Sequence, residues 1–206
     1  MLDNYLNRRE KITITAIQIL DEKGIQGLTT REIAKRQQIT EPAIYRHFKS
    51  KHEIILSIIE QYKIFDELIE NTIRENEMDA RSAIHYYIDA LTKYYDSYPE
   101  ITTLMFSMDV YHYDDKLREE MRIISNSRQQ LMTEIVLRGQ KDGELTKDIE
   151  GVKLAQIVLD ILWGTIKRWK SEGCSENLTE TAFEKINWIL QTNGIGGVHE
   201  KSIDRG

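Results

Sequence analysis

The sequence predicts an all-α fold, with a three-helix helix-turn-helix unit at the start of the chain and a larger helical domain after it, about nine helices in all. Apolar residues recur at the three- and four-residue spacing of helices almost throughout. Only 2 prolines and 11 glycines occur in 206 residues, so few positions can break a helix. Apolar residues make up 40% and charged residues 30% of the chain, which is typical of a globular protein with a buried core.

The composition also limits the compartment in which the chain works. A single cysteine, Cys174, excludes an internal disulfide and fits a reducing compartment. The first residues, MLDNYLNRRE, lack the apolar run of a signal peptide. No stretch approaches the roughly 20 apolar residues that span a bilayer. We therefore expect a cytoplasmic protein.

The net charge of −6 is distributed unevenly along the chain. Residues 1–51 contain 10 basic and 6 acidic residues, a charge of +4, which leaves 18 basic and 28 acidic residues, a charge of −10, for 52–206. A basic end on an acidic body indicates that one end meets a polyanion, although solvated faces also differ in charge by chance.

Three helices open the chain, and each carries a local signal. The segment KITITAIQIL alternates partly like a strand, but its apolar spacing also fits a helix, and Gly24 ends it. Thr29 and Glu32 form a capping box for the second helix. Thr40 caps the third helix, and Pro42 stands in its first turn, where a missing N–H has little effect.

A long amphipathic helix begins at Lys51 and runs to about Arg74. One face of this helix carries the apolar residues Ile54, Ile55, Ile58, Ile59, Tyr62, Phe65, Ile69 and Ile73. Further helices are predicted over residues 80–97, 100–112, 115–141, 151–172 and 177–192, with Pro99, Asp114-Asp115, Gly143 and Gly173 between them. We therefore expect two domains, residues 1–51 and 52–206.

The third helix has one apolar face and one polar face. Ile44 and Phe48 share the apolar side and can pack on Ile33 and Ala34 of the second helix. The opposite face carries Glu41, Pro42, Ala43, Tyr45 and Arg46. Because that face is short, polar and uncrowded, it can enter the major groove of DNA.

The segment GIQGLTTREIAKRQQITEPAIYRHFKSKHEII resembles the DNA-binding domain of the TetR/AcrR family of bacterial transcriptional regulators. The matching positions are Gly24, Thr29-Thr30, Ile33-Ala34, Tyr45-Arg46-His47-Phe48 and Lys51. The resemblance covers about 50 residues, and the rest of the chain matches only loosely, through its helix count and short segments such as RGQKDGEL. The turn departs from the family pattern, because Gln37-Gln38 stands where the family usually has Ala-Gly.

The resemblance implies roles for individual residues. Tyr45, His47, Lys51 and Thr30 are expected to contact phosphates, which set the register on DNA. Arg31 is expected to read a base, because it can reach guanine. At the start of the third helix, Glu41 can accept a hydrogen bond from cytosine, and Pro42 and Ala43 can contact a thymine methyl. The full predicted DNA-contact set is Thr30, Arg31, Thr40, Glu41, Pro42, Ala43, Tyr45, Arg46, His47 and Lys51.

Three of these residues also have ordinary structural explanations. Tyr45 can be a partly buried core ring. His47 can be a helix-end histidine that bonds to the backbone. Glu41 can simply stabilise the start of its helix through the helix dipole.

The second domain is expected to form the dimer and to hold an effector. The helices at 151–172 and 177–192 are apolar nearly all round, which suits a four-helix bundle between two chains on a palindromic operator, with a monomeric helical core as the alternative. By the resemblance, the middle helices enclose an effector pocket. Its candidate lining is Tyr86, Tyr87, Met105, Met108, Tyr111, Met121 and Trp163, although any one of these can equally be core.

Other functions have weaker signals in the sequence. The chain contains no glycine-rich phosphate loop, no Gly-x-Ser-x-Gly and no Cys/His metal spacing, so we predict no catalytic residues, no cofactor and no metal. His85 and His112 lie near several aspartates (Asp89, Asp109, Asp114 and Asp115), so the alternative is a helical metal-binding protein or enzyme without a DNA role. The favoured interpretation is a homodimeric repressor that a small molecule releases from its operator. An apolar or aromatic effector fits the Met-rich lining, and the acidic body favours a cationic one.

Overall fold

The structure, a computed structural model, describes residues 6–107 and 114–191. These residues form nine α-helices and one short 3-10 helix, and they contain no strand, so the all-α prediction is confirmed. In chain order the α-helices are α1 (Arg8–Gly27), α2 (Thr30–Arg36), α3 (Glu41–Tyr45), α4 (Lys51–Glu75), α5 (Ala80–Ser97), α6 (Thr102–Phe106), α7 (Asp115–Asp142), α8 (Gly151–Ser171) and α9 (Leu178–Gln191). The 3-10 helix, Pro99–Ile101, lies between α5 and α6.

Most predicted helix boundaries agree with the structure to within one or two residues. The bounds of α5 coincide with the prediction, and those of α7, α8 and α9 differ from it by at most one residue at either end. The helix predicted over 100–112 is instead a 3-10 turn that continues into the five-residue α6. The last part of that prediction, residues 108–112, lies outside the described residues.

Helix α1 begins at a reciprocal cap that was not among the sequence-based predictions. The Asn7 side chain accepts from the Glu10 N–H at 3.0 Å, and the Glu10 carboxylate accepts from the Asn7 N–H at 2.7 Å. Near its other end, Gly24 has a φ of +64°, in the left-handed region that glycine adopts easily. Gly24 therefore interrupts the helix, as predicted, and residues 25–27 form a last turn after the kink.

The predicted caps of α2 and α3 differ in their outcome. The Thr29 hydroxyl accepts from the Glu32 N–H at 3.1 Å, which confirms Thr29 as the cap of α2. Thr40 occupies the cap position of α3, but its side chain makes no capping bond, so that part of the prediction is wrong. The reason is that Pro42 has no N–H to offer and the Ala43 N–H donates to the Thr40 carbonyl.

Helix α4 connects the first three helices to the rest of the chain. Its predicted apolar stripe is buried, apart from Phe65, which is half-buried and stacks on Tyr94 with ring centroids 4.1 Å apart. Toward α1, the hydroxyls of Thr13 and Ser57 are 2.8 Å apart. On another side, the buried Tyr62 hydroxyl donates to the carbonyl of Ile101 in the 3-10 helix that follows α5. One continuous helix therefore contacts both halves of the molecule.

The later helices pack as a layered bundle. Helix α7 lies along α8, and α9 packs against both α8 and α5. Gly143, with a φ of +81°, ends α7 as predicted. In the ranges that the structure covers, no helix is long and apolar enough to cross a bilayer.

Candidate DNA-binding surface and buried polar cluster

Helices α2 and α3 form a compact helix-turn-helix whose two faces match the prediction. Ile33, Ile44 and Phe48 are at most 1% exposed and join the core. On the outer side, Pro42 and Arg46 are exposed, and Tyr45 keeps 52% of its surface in solvent. Tyr45 is therefore not a core ring, and the exposed face of α3 is available to a partner.

The turn between α2 and α3 has an unusual backbone at Gln38. Its φ is +53°, which places a non-glycine residue in the left-handed region. This is the position where the family pattern has glycine. The neighbouring Gln37 side chain donates to the Thr15 hydroxyl at 2.5 Å, which fixes the turn to α1. The fold therefore keeps the turn geometry, with some strain at Gln38.

We expect Gln38→Gly to raise the free energy of unfolding by about 1 kcal/mol, because glycine adopts a positive φ without a steric penalty. Urea unfolding followed by circular dichroism measures the difference. The matched reverse change is Gly143→Ala, which places a side chain at a φ of +81° and should destabilise by a similar amount. A Gln38→Gly variant that is less stable than the parent would show that the Gln38 side chain contributes contacts worth more than the strain.

The basic side chains of residues 6–51 fall into two groups. Arg36 pairs with Glu22 at 2.5 Å and with Glu32 at 3.2 Å, and Lys23 also pairs with Glu32, at 2.8 Å. These contacts fix α2 to α1. Among the cations that form no ion pair with any described residue are the exposed Arg31, Lys35, Arg46 and Lys49. These four lie on α2, at the end of α3 and in the segment that follows, so positive charge is left around the outer face of α3.

Several predicted DNA contacts also make contacts inside the protein. The Thr30 hydroxyl donates to the Glu41 carboxylate at 3.0 Å, which joins the starts of α2 and α3. The carbonyl of His47 accepts from Arg9 Nη1 at 2.5 Å. Lys51 Nζ donates to the carbonyl of Ile25, and burial lowers the pKa of Lys51. Glu41 therefore has a second structural explanation besides stabilising the start of its helix, because it also links α3 to α2.

The predicted pocket residues lie in different parts of the body. Tyr87 and Met121 are buried, whereas Tyr86, Met105 and Trp163 are partly exposed and pack against the core. The other two, Met108 and Tyr111, lie outside the described residues. Three of the five described residues, Tyr87, Met105 and Trp163, lie near one charged side chain that was not among the predicted site residues.

That side chain is Arg128 of α7, which is only 4% exposed. Its Nε and Nη2 donate to the two carboxylate oxygens of Asp66 at 2.7 and 3.0 Å. Its guanidinium carbon lies 4.7 Å from the centre of the Trp163 ring. Burial raises the pKa of Asp66, and the charge of Arg128 only partly opposes this. We call this group the Arg128 cluster; its members are Asp66, Tyr87, Tyr95, Met105, Arg128 and Trp163.

Two tyrosines complete the Arg128 cluster. The Tyr95 hydroxyl donates to the sulfur of Met105 at 3.2 Å, and burial raises the pKa of Tyr95 to about 12. The Tyr87 hydroxyl is buried without a hydrogen-bond partner, the one such side-chain atom in the described chain. Burial raises the pKa of Tyr87, and the nearby Arg128 opposes that shift. An unpartnered buried hydroxyl has a free-energy cost, so the cluster is incomplete as it stands.

A separate groove of about 1130 Å³ lies between α1, α4 and the end of α5. None of the predicted pocket residues lines it. Polar side chains that line it are already engaged with one another, such as the Asn7–Glu10 cap, the Thr13–Ser57 pair and Arg9 with Glu53. The groove therefore offers space, whereas the buried polar atom without a partner, the Tyr87 hydroxyl, belongs to the Arg128 cluster.

The described residues among those that suggested a metal site have other partners. His85 Nε2 lies 2.9 Å from the Asn187 side-chain oxygen, and Asp89 pairs with Lys93 at 2.8 Å. Asp114 caps α7 and lies 3.2 Å from His52. His112 and Asp109 lie outside the described residues. No group of three metal-ligating side chains occurs in the part of the chain that the structure describes.

A helix-turn-helix with an exposed, positively charged outer face, carried on a larger helical body, defines a class of DNA-binding regulators. Residues 12–58 match the family model for bacterial regulatory proteins of the tetR family. Residues 12–58 therefore form a DNA-binding domain of the tetR type, as found in bacterial transcriptional regulators of this family.

Known proteins resemble the chain over different lengths. The nucleoid occlusion factor SlmA of Aliivibrio fischeri is 29% identical over 157 residues, which are 74% of this chain and 79% of that protein. The class C tetracycline repressor of Escherichia coli is 40% identical over 53 residues, 26% of this chain and 24% of the repressor.

Two solved structures share the fold of nearly the whole chain. The fatty acid degradation regulator FadR from Bacillus halodurans superposes with a TM-score of 0.78 at 17% identity, over 91% of this chain and 97% of that one. The MbdR regulator from Azoarcus sp. CIB gives a TM-score of 0.78 at 20% identity, over 88% and 96%. At these identities the likeness establishes the fold alone.

Proposed function

We propose that the chain is a homodimeric repressor that binds a palindromic operator and leaves it when a small-molecule effector binds. The observation that carries this proposal is the outer face of α3, which is exposed and flanked by cations that have no ion pair among the described residues. Glutamates neutralise Lys23 and Arg36 where α2 meets α1. The positive charge that remains lies around the outer face of α3 and is available to a partner. A duplex DNA groove lined by phosphates is such a partner.

The position of each side chain supports its proposed DNA contact. Tyr45 and Arg46, exposed at the end of α3, contact phosphates, as does His47 beside them. Pro42 and Ala43 approach a thymine methyl, and Thr40 stands at the start of the same helix. Arg31, exposed on α2, reads guanine. Thr30 and Glu41 are joined by a hydrogen bond, so either can meet DNA only by exchanging that bond.

Lys51 combines two roles in this proposal. Its ammonium donates to the Ile25 carbonyl at the end of α1, which fixes the side chain in place. Its charge also stands at the N-terminus of α4, where the helix dipole and the backbone N–H groups favour a DNA phosphate. Lys51 would thus join the phosphate backbone to both α1 and α4, and it also marks the boundary between the proposed domains, residues 1–51 and 52–206.

The dimer is proposed to form through α8 and α9. The sequence suggested that both helices are apolar nearly all round, but the outer side of α8 carries Lys153, Gln156 and Asp160. What supports the interface is apolar surface in solvent: Trp188 on α9 is 66% exposed and Val152 on α8 is 46% exposed. A two-fold dimer would place its two α3 helices roughly 34–36 Å apart, one turn of DNA.

The effector is proposed to bind within the helical body and to act through α4. This helix begins directly after the helix-turn-helix and contacts α1, α5 and α7. A ligand that fits a conformation unsuited to DNA shifts the population toward it, and moving occupancy from 99:1 to 1:99 takes about 5.5 kcal/mol of differential affinity. The FadR regulator from Bacillus subtilis, which has this fold, has been crystallised in complex with stearoyl-CoA, and that precedent supports a ligand site in such a body.

Selection from random DNA tests the proposal directly. The full-length protein should enrich a palindromic sequence, and in solution it should have twice the mass of its 24.2 kDa chain. Binding should weaken steeply as salt increases. If no DNA sequence is enriched, the repressor assignment is wrong; if the protein is monomeric on a single half-site, the dimer is wrong.

Arg31→Ala should relax preference at one base pair in each half-site, at a cost of roughly 1–3 kcal/mol, because a bidentate contact to guanine is lost. The same selection, repeated on the variant, provides the measurement. Lys35→Ala, another exposed cation of α2, is the control and should weaken binding without changing the sequence preference. If Arg31→Ala selects the same DNA sequence as the wild type, Arg31 contacts the DNA backbone and not a base.

A further inference from the structure

In the Arg128 cluster, some hydrogen-bond donors have no strong acceptor within reach. A guanidinium has five N–H donors, and Asp66 accepts from two of its three nitrogens. The third nitrogen, Nη1, lies 3.9 Å from the sulfur of Met105, a weak acceptor, and the neutral hydroxyl of Tyr95 is the other group that interacts with the guanidinium. The hydroxyl of Tyr87 adds a further donor with no partner. The unsatisfied capacity therefore calls for an acceptor, and a group with several acceptor oxygens satisfies it best.

Asp66 is the more exposed partner of the pair. Its side chain is 16% exposed and that of Arg128 is 4% exposed, so Asp66 is the one of the two that solvent reaches more easily. Burial raises the pKa of Asp66 despite the adjacent guanidinium. Arg128 stays charged under all ordinary conditions, whereas a carboxylate can leave or take up a proton.

We propose that Arg128 anchors the carboxylate of an organic-anion effector, and that Asp66 occupies this anchor until the effector displaces it. The surroundings favour an apolar or aromatic body on that anion, since Trp163 lies against the guanidinium and Tyr95 against Trp163, with ring centroids 6.1 Å apart. This inference rests on the proposed function, because it names the chemical class of the effector.

The exchange of one carboxylate for another acts directly on α4. Three ion pairs join α4 to α7: Lys63–Glu120, Asp66–Arg128 and Arg74–Glu134. The outer two are exposed to solvent to a larger degree, and the Asp66–Arg128 pair between them is buried. Once displaced, Asp66 must turn toward solvent or be protonated, since an unpaired buried charge is unfavourable. Either change loosens the central link between α4 and the body.

The test compares three forms of the full-length chain: wild type, Asp66→Ala, and the double variant Asp66→Leu/Arg128→Met. Each is titrated with acetate, hexanoate and 3-phenylpropionate, with the matched primary amides and with hexylammonium. The readout is the concentration that gives a half-maximal increase in the unfolding midpoint, because a ligand that binds the folded state stabilises it. Asp66→Ala removes the internal competitor and leaves space for a carboxylate beside Arg128.

The carboxylates should act on Asp66→Ala at concentrations at least about tenfold lower than on wild type, because a buried anion partner no longer competes. The amides should show no such gain, and the double variant should respond to neither. Equal responses of wild type and Asp66→Ala, amides as effective as carboxylates, or stabilisation by hexylammonium alone would each overturn the proposal. If Asp66→Ala fails to fold, Asp66→Asn, which keeps the shape but not the charge, must give the same ranking.

Operator binding, measured without additives on the selected DNA, separates this inference from the proposed function. A wild type that binds DNA but gains nothing from Asp66→Ala with carboxylates contradicts only the anion anchor. A protein that shows the carboxylate gain but binds no DNA contradicts only the repressor assignment.

Discussion

Arg128→Leu is expected to lower the free energy of unfolding by about 3–5 kcal/mol, because it leaves the carboxylate of Asp66 buried and unpaired. Arg128 makes two hydrogen bonds to Asp66, at 2.7 and 3.0 Å, and lies over the Trp163 ring. Removing it also deprives α4 of its central contact with α7. Urea unfolding measures the loss, and stability should recover partly at low pH, where Asp66 is protonated.

The sign of that recovery follows from the environment of Asp66. In the variant, burial still raises the pKa of the carboxyl group and no cation opposes it, so the folded state binds the proton more tightly than the unfolded state. Stability is therefore lost as pH rises above the ordinary pKa of an aspartate. If the stability of Arg128→Leu does not fall as pH rises through this range, the Asp66 carboxylate is exposed to water in the variant.

The matched control for Arg128→Leu is Arg122→Leu on the same helix. Arg122 pairs with Glu119 at 2.6 Å, but the two side chains are 61% and 52% exposed. Solvent screens such a pair, so the control should change stability by less than about 0.5 kcal/mol. Equal effects of the two substitutions would mean that Arg128 acts through helix propensity or bulk rather than through its buried charge.

The sequence predicted the helices well because their signals are local. The bounds of α5, α7, α8 and α9 follow from apolar spacing and from breakers such as Gly143 and Gly173, which act within a few residues. The capping bond of Thr40 failed for an equally local reason that was available in the sequence, since Pro42 removes one of the two N–H groups that a cap can bind.

The Arg128 cluster could not be predicted from one helix at a time. On α4, Asp66 follows Tyr62 by four residues and precedes Ile69 by three, so it lies on the buried stripe; on α7, Arg128 stands likewise between Ile124 and Leu131. Each charge alone is an irregularity in an apolar pattern. Only the packing of α4 on α7 shows that the two irregularities pair. A search for opposite charges on two buried stripes would have found them.

Gln38 shows a different limit of sequence reasoning. The local sequence gives no reason for a glutamine to adopt a φ of +53°. The packing of α2 onto α1 and of α3 onto α2 requires that turn, and the Gln37 side chain supports it with a bond to Thr15. Tertiary contacts therefore decide the backbone here against local preference.

The second large effect is expected for Phe48→Ala, which should cost the DNA-binding unit about 3–5 kcal/mol of stability. Phe48 is 1% exposed, and the guanidinium carbon of Arg9 lies 4.1 Å from the centre of its ring. Arg9 also holds the carbonyl of His47 at 2.5 Å and lies 3.5 Å from the carboxylate of Glu53. The ring therefore supports both the end of α3 and the start of α4.

Two further variants separate packing from DNA contact at this place. Phe48→Leu keeps most of the apolar volume and should cost less than the alanine change, with operator binding retained. Tyr45→Phe removes only a hydroxyl from a side chain that is 52% exposed, so stability should stay within about 0.5 kcal/mol while operator affinity falls. Affinity of each variant for the selected operator, measured by fluorescence anisotropy at a temperature where all are folded, gives the comparison. If Phe48→Ala binds DNA like the wild type under those conditions, the position of α3 does not depend on the core beneath it, and the outer face of α3 would have to be oriented by the α2–α3 turn alone.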